Sequence, residues 1–238
     1  MSEQKTLLKF SNQKLPQIED WDFADADTQY MTHGLHMYPA RMIPQVARKL
    51  IDMFVSSPSD IVLDPYCGSG GVLVESMLKG NNSIGVDINP LAILIAKAKT
   101  TPINPRILRD LAKGLLSKIK ADIDNQIEYE RPEIKNVDFW FKPKVIKDLT
   151  IIRKHIFEFD DLEDISNFFK VCFSLTVRKA SNVRSREFKL YRISENELKS
   201  YHPDTFEIFQ DIVNINITRM EKFYEKTRGT KVGFPFRG

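Results

Sequence analysis

Two acids, Asp64 and Asp87, each close a short apolar run, Ile61-Val62-Leu63 and Ile84-Gly85-Val86, and between them lies the glycine-rich stretch Gly68-Ser69-Gly70-Gly71. The apolar runs read as strands, and the periodic apolar residues over 72–78 read as a helix. Strand, loop and helix in that order put two carboxylate-bearing strand ends beside one glycine loop. Ligands of open parallel sheets sit just beyond such ends. Glycine lets the backbone come close to a ligand, and the N–H groups at the helix start favour an anionic group. Asp87 stands where it can accept hydrogen bonds from a ribose diol. The chemistry indicated is the binding of a nucleoside.

Which nucleoside follows from what the loop lacks. A phosphate-cradling loop closes with Gly-Lys-Ser/Thr, whereas Gly70 is followed by Gly71-Val72, and a dinucleotide fingerprint needs glycine where Leu73 stands. Nucleoside triphosphates and dinucleotides are therefore disfavoured. The stretch Asp64-Pro65-Tyr66-Cys67-Gly68-Ser69-Gly70-Gly71 resembles the S-adenosylmethionine (SAM) loop of DNA amino-methyltransferases, usually Asp-Pro-Phe-Cys-Gly-Ser-Gly-Thr. Upstream, His36, Tyr38, Pro39, Ala40 and Arg41 match the segment that precedes this loop in the same family and lines the methionine side of its cofactor pocket. His33 and His36 also read as turn histidines bonded to backbone.

The resemblance implies an α/β fold: a partial Rossmann-like SAM-binding sheet with a mainly helical second region. It implies SAM as cofactor, held by Tyr38, Arg41, Asp64, Pro65, Tyr66, Gly68, Ser69, Gly70, Asp87, Ile88 and Pro90. In that reading the backbone N–H groups of residues 68–70 take the methionine end and Asp64 bonds its ammonium. Asp87 takes the ribose hydroxyls, Ile88 and Pro90 flank the adenine, and Tyr38 with Arg41 closes the other side.

The 238 residues, 42% of them hydrophobic, suffice for a buried core. A net charge of +3 is too small to argue nucleic-acid binding by itself. Cys67 and Cys172 have no metal-cluster spacing and read as reduced thiols; no metal is expected. No run is long enough for a membrane span, and the polar start lacks an apolar signal centre, so a soluble, cytoplasmic protein is expected.

Three regions follow: an acidic N-terminal arm over 1–30, the SAM-binding region over 31–104, and a helical region with a basic loop over 105–238. The break at Thr100-Thr101-Pro102-Ile103-Asn104-Pro105 marks the second junction. Apolar spacing predicts helices over 44–54, 90–99, 106–123, 144–159, 162–180 and 203–228. Phe139-Trp140-Phe141 reads as an aromatic knot sealing helices rather than stacking a base. Between the last two helices lie Arg178, Lys179, Arg184, Arg186, Lys189 and Arg192 against one acid, Glu187. That stretch reads either as a phosphate-holding loop or as a solvated charge run; relatives carry a similar Arg-x-x-Ser-Asn stretch, which implies DNA as partner.

The family holds its target amine with Asp/Asn/Ser-Pro-Pro-aromatic, whose ring stacks on a flipped base. This sequence contains no Pro-Pro dipeptide. The expectation is a SAM-binding component of a DNA methyltransferase acting on adenine N6 or cytosine N4, of a restriction-modification system. Its catalytic half would lie on a second polypeptide carrying the Pro-Pro-Tyr motif or be lost by truncation, and no catalytic base is expected here. Unpaired sheet edges and apolar surface should follow, with poor solubility or self-association in isolation. A nucleic-acid-binding adaptor with a vestigial cofactor loop is the alternative, and a small-molecule methyltransferase a third reading.

Overall fold

The computed structural model describes residues 21–39, 41–184 and 189–227. Helices dominate: α1 (Pro44–Phe54), α2 (Gly71–Lys79), α3 (Pro90–Thr100), α4 (Pro105–Asp124), α5 (Val137–Trp140), α6 (Pro143–Ile156), α7 (Glu163–Ala180), α8 (Glu195–Ser200) and α9 (Thr205–Thr227). Strands β1 (Ile61–Asp64) and β2 (Asn82–Gly85) form a two-stranded parallel sheet, with Ile61 opposite Asn82 and Asp64 opposite Gly85. The class is α/β with helices in excess.

Local sequence explains the helix starts. Proline opens α1, α3, α4 and α6, where a missing N–H costs nothing. The Asn89 and Asn104 side chains cap α3 and α4 by accepting from Leu91 N and Arg106 N, each at 3.0 Å. Ser194 and Glu197 close a reciprocal capping box at α8. The second strand lies two residues earlier than the apolar run suggests, because pairing begins at polar Asn82; Val86 still extends the ladder by donating to the Asp64 carbonyl at 3.0 Å.

One core joins both sides of the 104/105 junction. Leu35, Val74, Met77 and Ile95 share it with Leu108, Ile119, Ile152, Phe168, Phe169, Phe209 and Phe223. Helix α9 packs against α4, α7 and the 3-10 turn Met31–Leu35, while α3 lies on α7. The junction separates element types, with apolar packing continuous across it.

The sheet is covered unevenly. Helix α2 packs on both strands, yet Ile61 and Leu63 are 61% and 62% exposed. Parallel sheets are normally buried on both faces, so this apolar face of β1 is uncovered among the described residues. No described helix is long and apolar enough to cross a membrane.

The described part of the arm, from residue 21, lies along α1: the Lys49 ammonium stands 4.7 Å from the centroid of the Trp21 ring, and Gln45 Nε2 donates to the Asp27 carbonyl at 2.7 Å. Residues 1–20 fall outside the described residues.

Candidate functional site

At the carboxyl ends of β1 and β2 lies a cleft of about 310 Å³, lined among others by Tyr38, Arg41, Asp64, Tyr66, Gly68, Ser69 and Lys99. Six of these seven belong to the residues expected from sequence. Pro65, Gly70, Asp87, Ile88 and Pro90 do not line it. Ile88 is fully exposed to solvent and Tyr66 nearly so, and Pro90 is the first residue of α3.

The loop is held by the second acid. Asp87 Oδ2 accepts from Gly68 N at 2.9 Å and Oδ1 from Asn89 N at 2.8 Å, while Asp64 Oδ1 accepts from Tyr66 N at 3.1 Å. Gly70 N donates to the Cys67 carbonyl at 2.8 Å. Two of the three N–H groups expected to hold the methionine end thus already have acceptors within the protein. The glycines keep a steric reason. Gly68 and Gly70 adopt φ of +49° and +77°, and a Cβ on Gly70 would meet Ala96 Cβ of α3 at 2.9 Å. Gly70 therefore sets the packing of the loop on α3.

Tyr38 bridges the walls. Its ring lies against Gly68, and its hydroxyl accepts from Asn89 Nδ2 at 3.2 Å. Arg41 Nη1 donates to the His33 carbonyl at 2.9 Å. The two histidines are bonded through side chains as well as packed: His33 Nε2 meets Glu75 Oε1 at 2.7 Å and His36 Nε2 meets Ser174 Oγ at 3.2 Å.

Two further residues escape a motif search. Glu75, on α2, has a side chain only 1% exposed and receives hydrogen bonds from Tyr30, His33 and Arg48. It ties the segment carrying Tyr38 and Arg41 to the helix after the glycine loop. Lys99, 1% exposed, ends at the cleft floor with Nζ donating to Ser69 Oγ at 3.0 Å. Helical phase could have found it: Ala92, Ile95, Ala96 and Lys99 fall on one buried stripe of α3.

The electrostatics reflect burial. Asp64 is raised above the usual carboxylate range by burial, with Asp87 adding to it. The Cys67 thiol is pushed up to about 11, mainly by burial. Lys99 is brought down to about 7 by burial first and by Arg41 second. Cys67 and Cys172 are both buried free thiols.

The basic stretch lies elsewhere. Lys179, Arg184 and Lys189 are exposed, while Arg178 and Arg192 are partly buried; Arg186 lies outside the described residues. Arg192 is anchored within the protein: Nε donates to the Phe139 carbonyl at 3.0 Å, the guanidinium stacks 4.6 Å from that ring's centroid, and Glu195 pairs with it. The aromatic knot divides accordingly. Phe141 packs on the Val145, Leu149 and Ala180 cluster, whereas Phe139 stays half exposed under Arg192.

Comparison with known proteins agrees with this geometry. A family model described as DNA methylase matches residues 3–98. A type II methyltransferase, M.MvaI of Kocuria varians, is 37% identical over 86% of this chain and 46% of its own length. Another, M.MjaII of Methanocaldococcus jannaschii, is 36% identical over 42% of this chain and 20% of its own. A tRNA (guanine(10)-N2)-dimethyltransferase of the same archaeon is 43% identical over 23% of this chain and 15% of its own. The chain thus spans less than half the length of each of these relatives. No solved structure matches. The family model spans β1, the glycine loop and β2, and the chain is similar over that stretch to DNA amino-methyltransferases.

Proposed function

We propose that the chain is the SAM-holding part of a DNA methyltransferase acting on adenine N6 or cytosine N4, as in a restriction-modification system. The sheet would then be the start of a Rossmann-like SAM domain, and the acceptor-holding half would be polypeptide outside these 238 residues. The observation that carries this reading is the cleft at the ends of the parallel strands, in the position where such sheets bind ligands. Its volume falls at the small end of ligand pockets.

The residues present suit the cofactor. Asp64 offers a carboxylate to its ammonium and Tyr38 a ring beside the loop. Asp87 already accepts two backbone N–H groups, but a carboxylate has about four acceptor positions, so ribose hydroxyls can still be taken. Ile88 and Pro90 offer exposed apolar surface next to it for the adenine. Bound SAM supplies a methyl group on a sulfonium, for which positioning of donor and acceptor provides most of the acceleration. The protein's task here is to hold the donor and leave its reactive side open to an acceptor.

The bare apolar face of β1 at Ile61 and Leu63 supports a covering half, whether on the same or a separate polypeptide. A reading as nucleic-acid-binding adaptor draws on the exposed cations Lys179, Arg184 and Lys189. One assay separates the two. Transfer of tritiated methyl from SAM to DNA should be at background for the chain alone and appear when a polypeptide bearing the Pro-Pro-Tyr strand of a relative is added. Transfer by the chain alone refutes the need for a second half; DNA binding with no SAM binding under either condition favours the adaptor.

A further inference from the structure

Two cations of the cleft, Lys99 and Arg41, have no ion-pair partner among the described residues. Lys99 is buried, and its ammonium donates to a neutral hydroxyl, Ser69 Oγ. Arg41, on the adjoining wall, donates to a carbonyl. Among the described residues no carboxylate forms an ion pair with either. A buried ammonium without a counter-charge is costly, and its lowered proton affinity records that cost. Arg41 is likewise lowered by burial, with Arg219 adding to it.

Two of the loop's N–H groups are already engaged, Gly68 N–H by Asp87 and Gly70 N–H by the Cys67 carbonyl, which reduces what the backbone can offer an anion. An anion entering this cleft also meets the cationic side chains of Lys99 and Arg41. Ser69 fixes the direction of the ammonium and is itself 3% exposed, so the arrangement is built into the floor.

We propose that Lys99, aimed by Ser69 and assisted by Arg41, is the receptor for the α-carboxylate of the cofactor's amino-acid group. The assignment rests on the SAM reading above and extends it to the identity of the anion site. Asp64, lining the same cleft, is then left for the ammonium of the same group. The two charges of the zwitterion are separated by the protein in the sense that its own residues dictate.

The test compares SAM with decarboxylated SAM, which keeps the sulfonium and ammonium and lacks only the carboxylate. Titration calorimetry on the intact chain should show SAM bound more tightly than its decarboxylated form. Lys99→Met should weaken SAM by about 10- to 100-fold, the loss expected for a hydrogen bond to a charged group, and leave decarboxylated SAM within roughly threefold of wild type. Because an apolar isostere replaces an unbalanced buried charge, the ligand-free variant should melt no lower than wild type. Should it fail to fold, Arg41→Met on the more open wall decides, with the same selective loss expected to a smaller degree.

Equal weakening of both ligands, or none, in the folded variant overturns the assignment while the SAM reading survives. If the anion were instead a DNA phosphate, wild type would bind the two ligands alike, which also overturns it. Failure of wild type to bind either ligand removes the SAM reading itself.

Discussion

Glu75→Ala is expected to destabilise the fold by about 2 to 5 kcal/mol in chemical denaturation, the cost of leaving buried donors without acceptors plus a cavity. The carboxylate accepts from His33 at 2.7 Å, from Arg48 at 2.9 Å and from Tyr30, and His33 itself lines the cleft. Burial alone would raise its proton affinity, but the hydrogen bonds from His33, Tyr30 and Arg48 outweigh it and hold Glu75 below its ordinary 4.5. That sign makes its contribution complete above pH 4.5 and lost as pH falls through the lower folded value.

His36 acts earlier on the same titration. Burial, with Lys99 adding to it, lowers His36 from 6.5 to about 4, so the unfolded chain takes up a proton that the fold resists. Stability from this source is full above pH 6.5 and falls away towards pH 4, by roughly 3 kcal/mol if the whole shift is expressed. Both groups should therefore weaken wild type on acidification, and in Glu75→Ala the lower part of the loss should be smaller. A variant within about 0.5 kcal/mol of wild type, the usual range for surface substitutions, would show that Glu75 does not tie the cleft wall to α2.

Asp87→Ala is expected to weaken SAM by on the order of 100-fold or more, since two ribose hydroxyls lose a charged acceptor. It also releases Gly68 N–H and Asn89 N–H, the bonds that hold the glycine loop against the start of α3. Asp87→Asn retains one acceptor oxygen and should fall between the two. The readout is the dissociation constant from titration, with the melting temperature followed in parallel. Unchanged affinity in a folded Asp87→Ala would remove the ribose contact from the account.

Much of this was legible before any coordinates. The prolines at 44, 90, 105 and 143 set helix starts that local physics almost fixes, and of the paired acids Asp64 ends β1 as expected while Asp87 lies two residues beyond the end of β2. Three things were not. The start of β2 at polar Asn82 follows from pairing with β1 rather than from its own hydropathy. The charged residues Glu75 and Lys99 were passed over because charge in a helix ordinarily marks a solvent face. Both stand within apolar sequence, Leu73-Val74-Glu75-Ser76-Met77 and Ile95-Ala96-Lys97-Ala98-Lys99, and helical phase separates buried Lys99 from partly exposed Lys97. The use of loop N–H groups by Asp87 and Cys67 could not be seen in sequence, because it depends on backbone direction within the turn.

Photolabelling asks where the donor sits. Irradiating the chain with methyl-tritiated SAM and mapping the labelled peptides should place label within residues 36–42 or 64–72, suppressed by excess unlabelled S-adenosylhomocysteine. Label that the competitor does not suppress, or suppressible label confined to the groove between α4 and α9 around Arg109, Lys120 and Gln210, would contradict the cleft assignment.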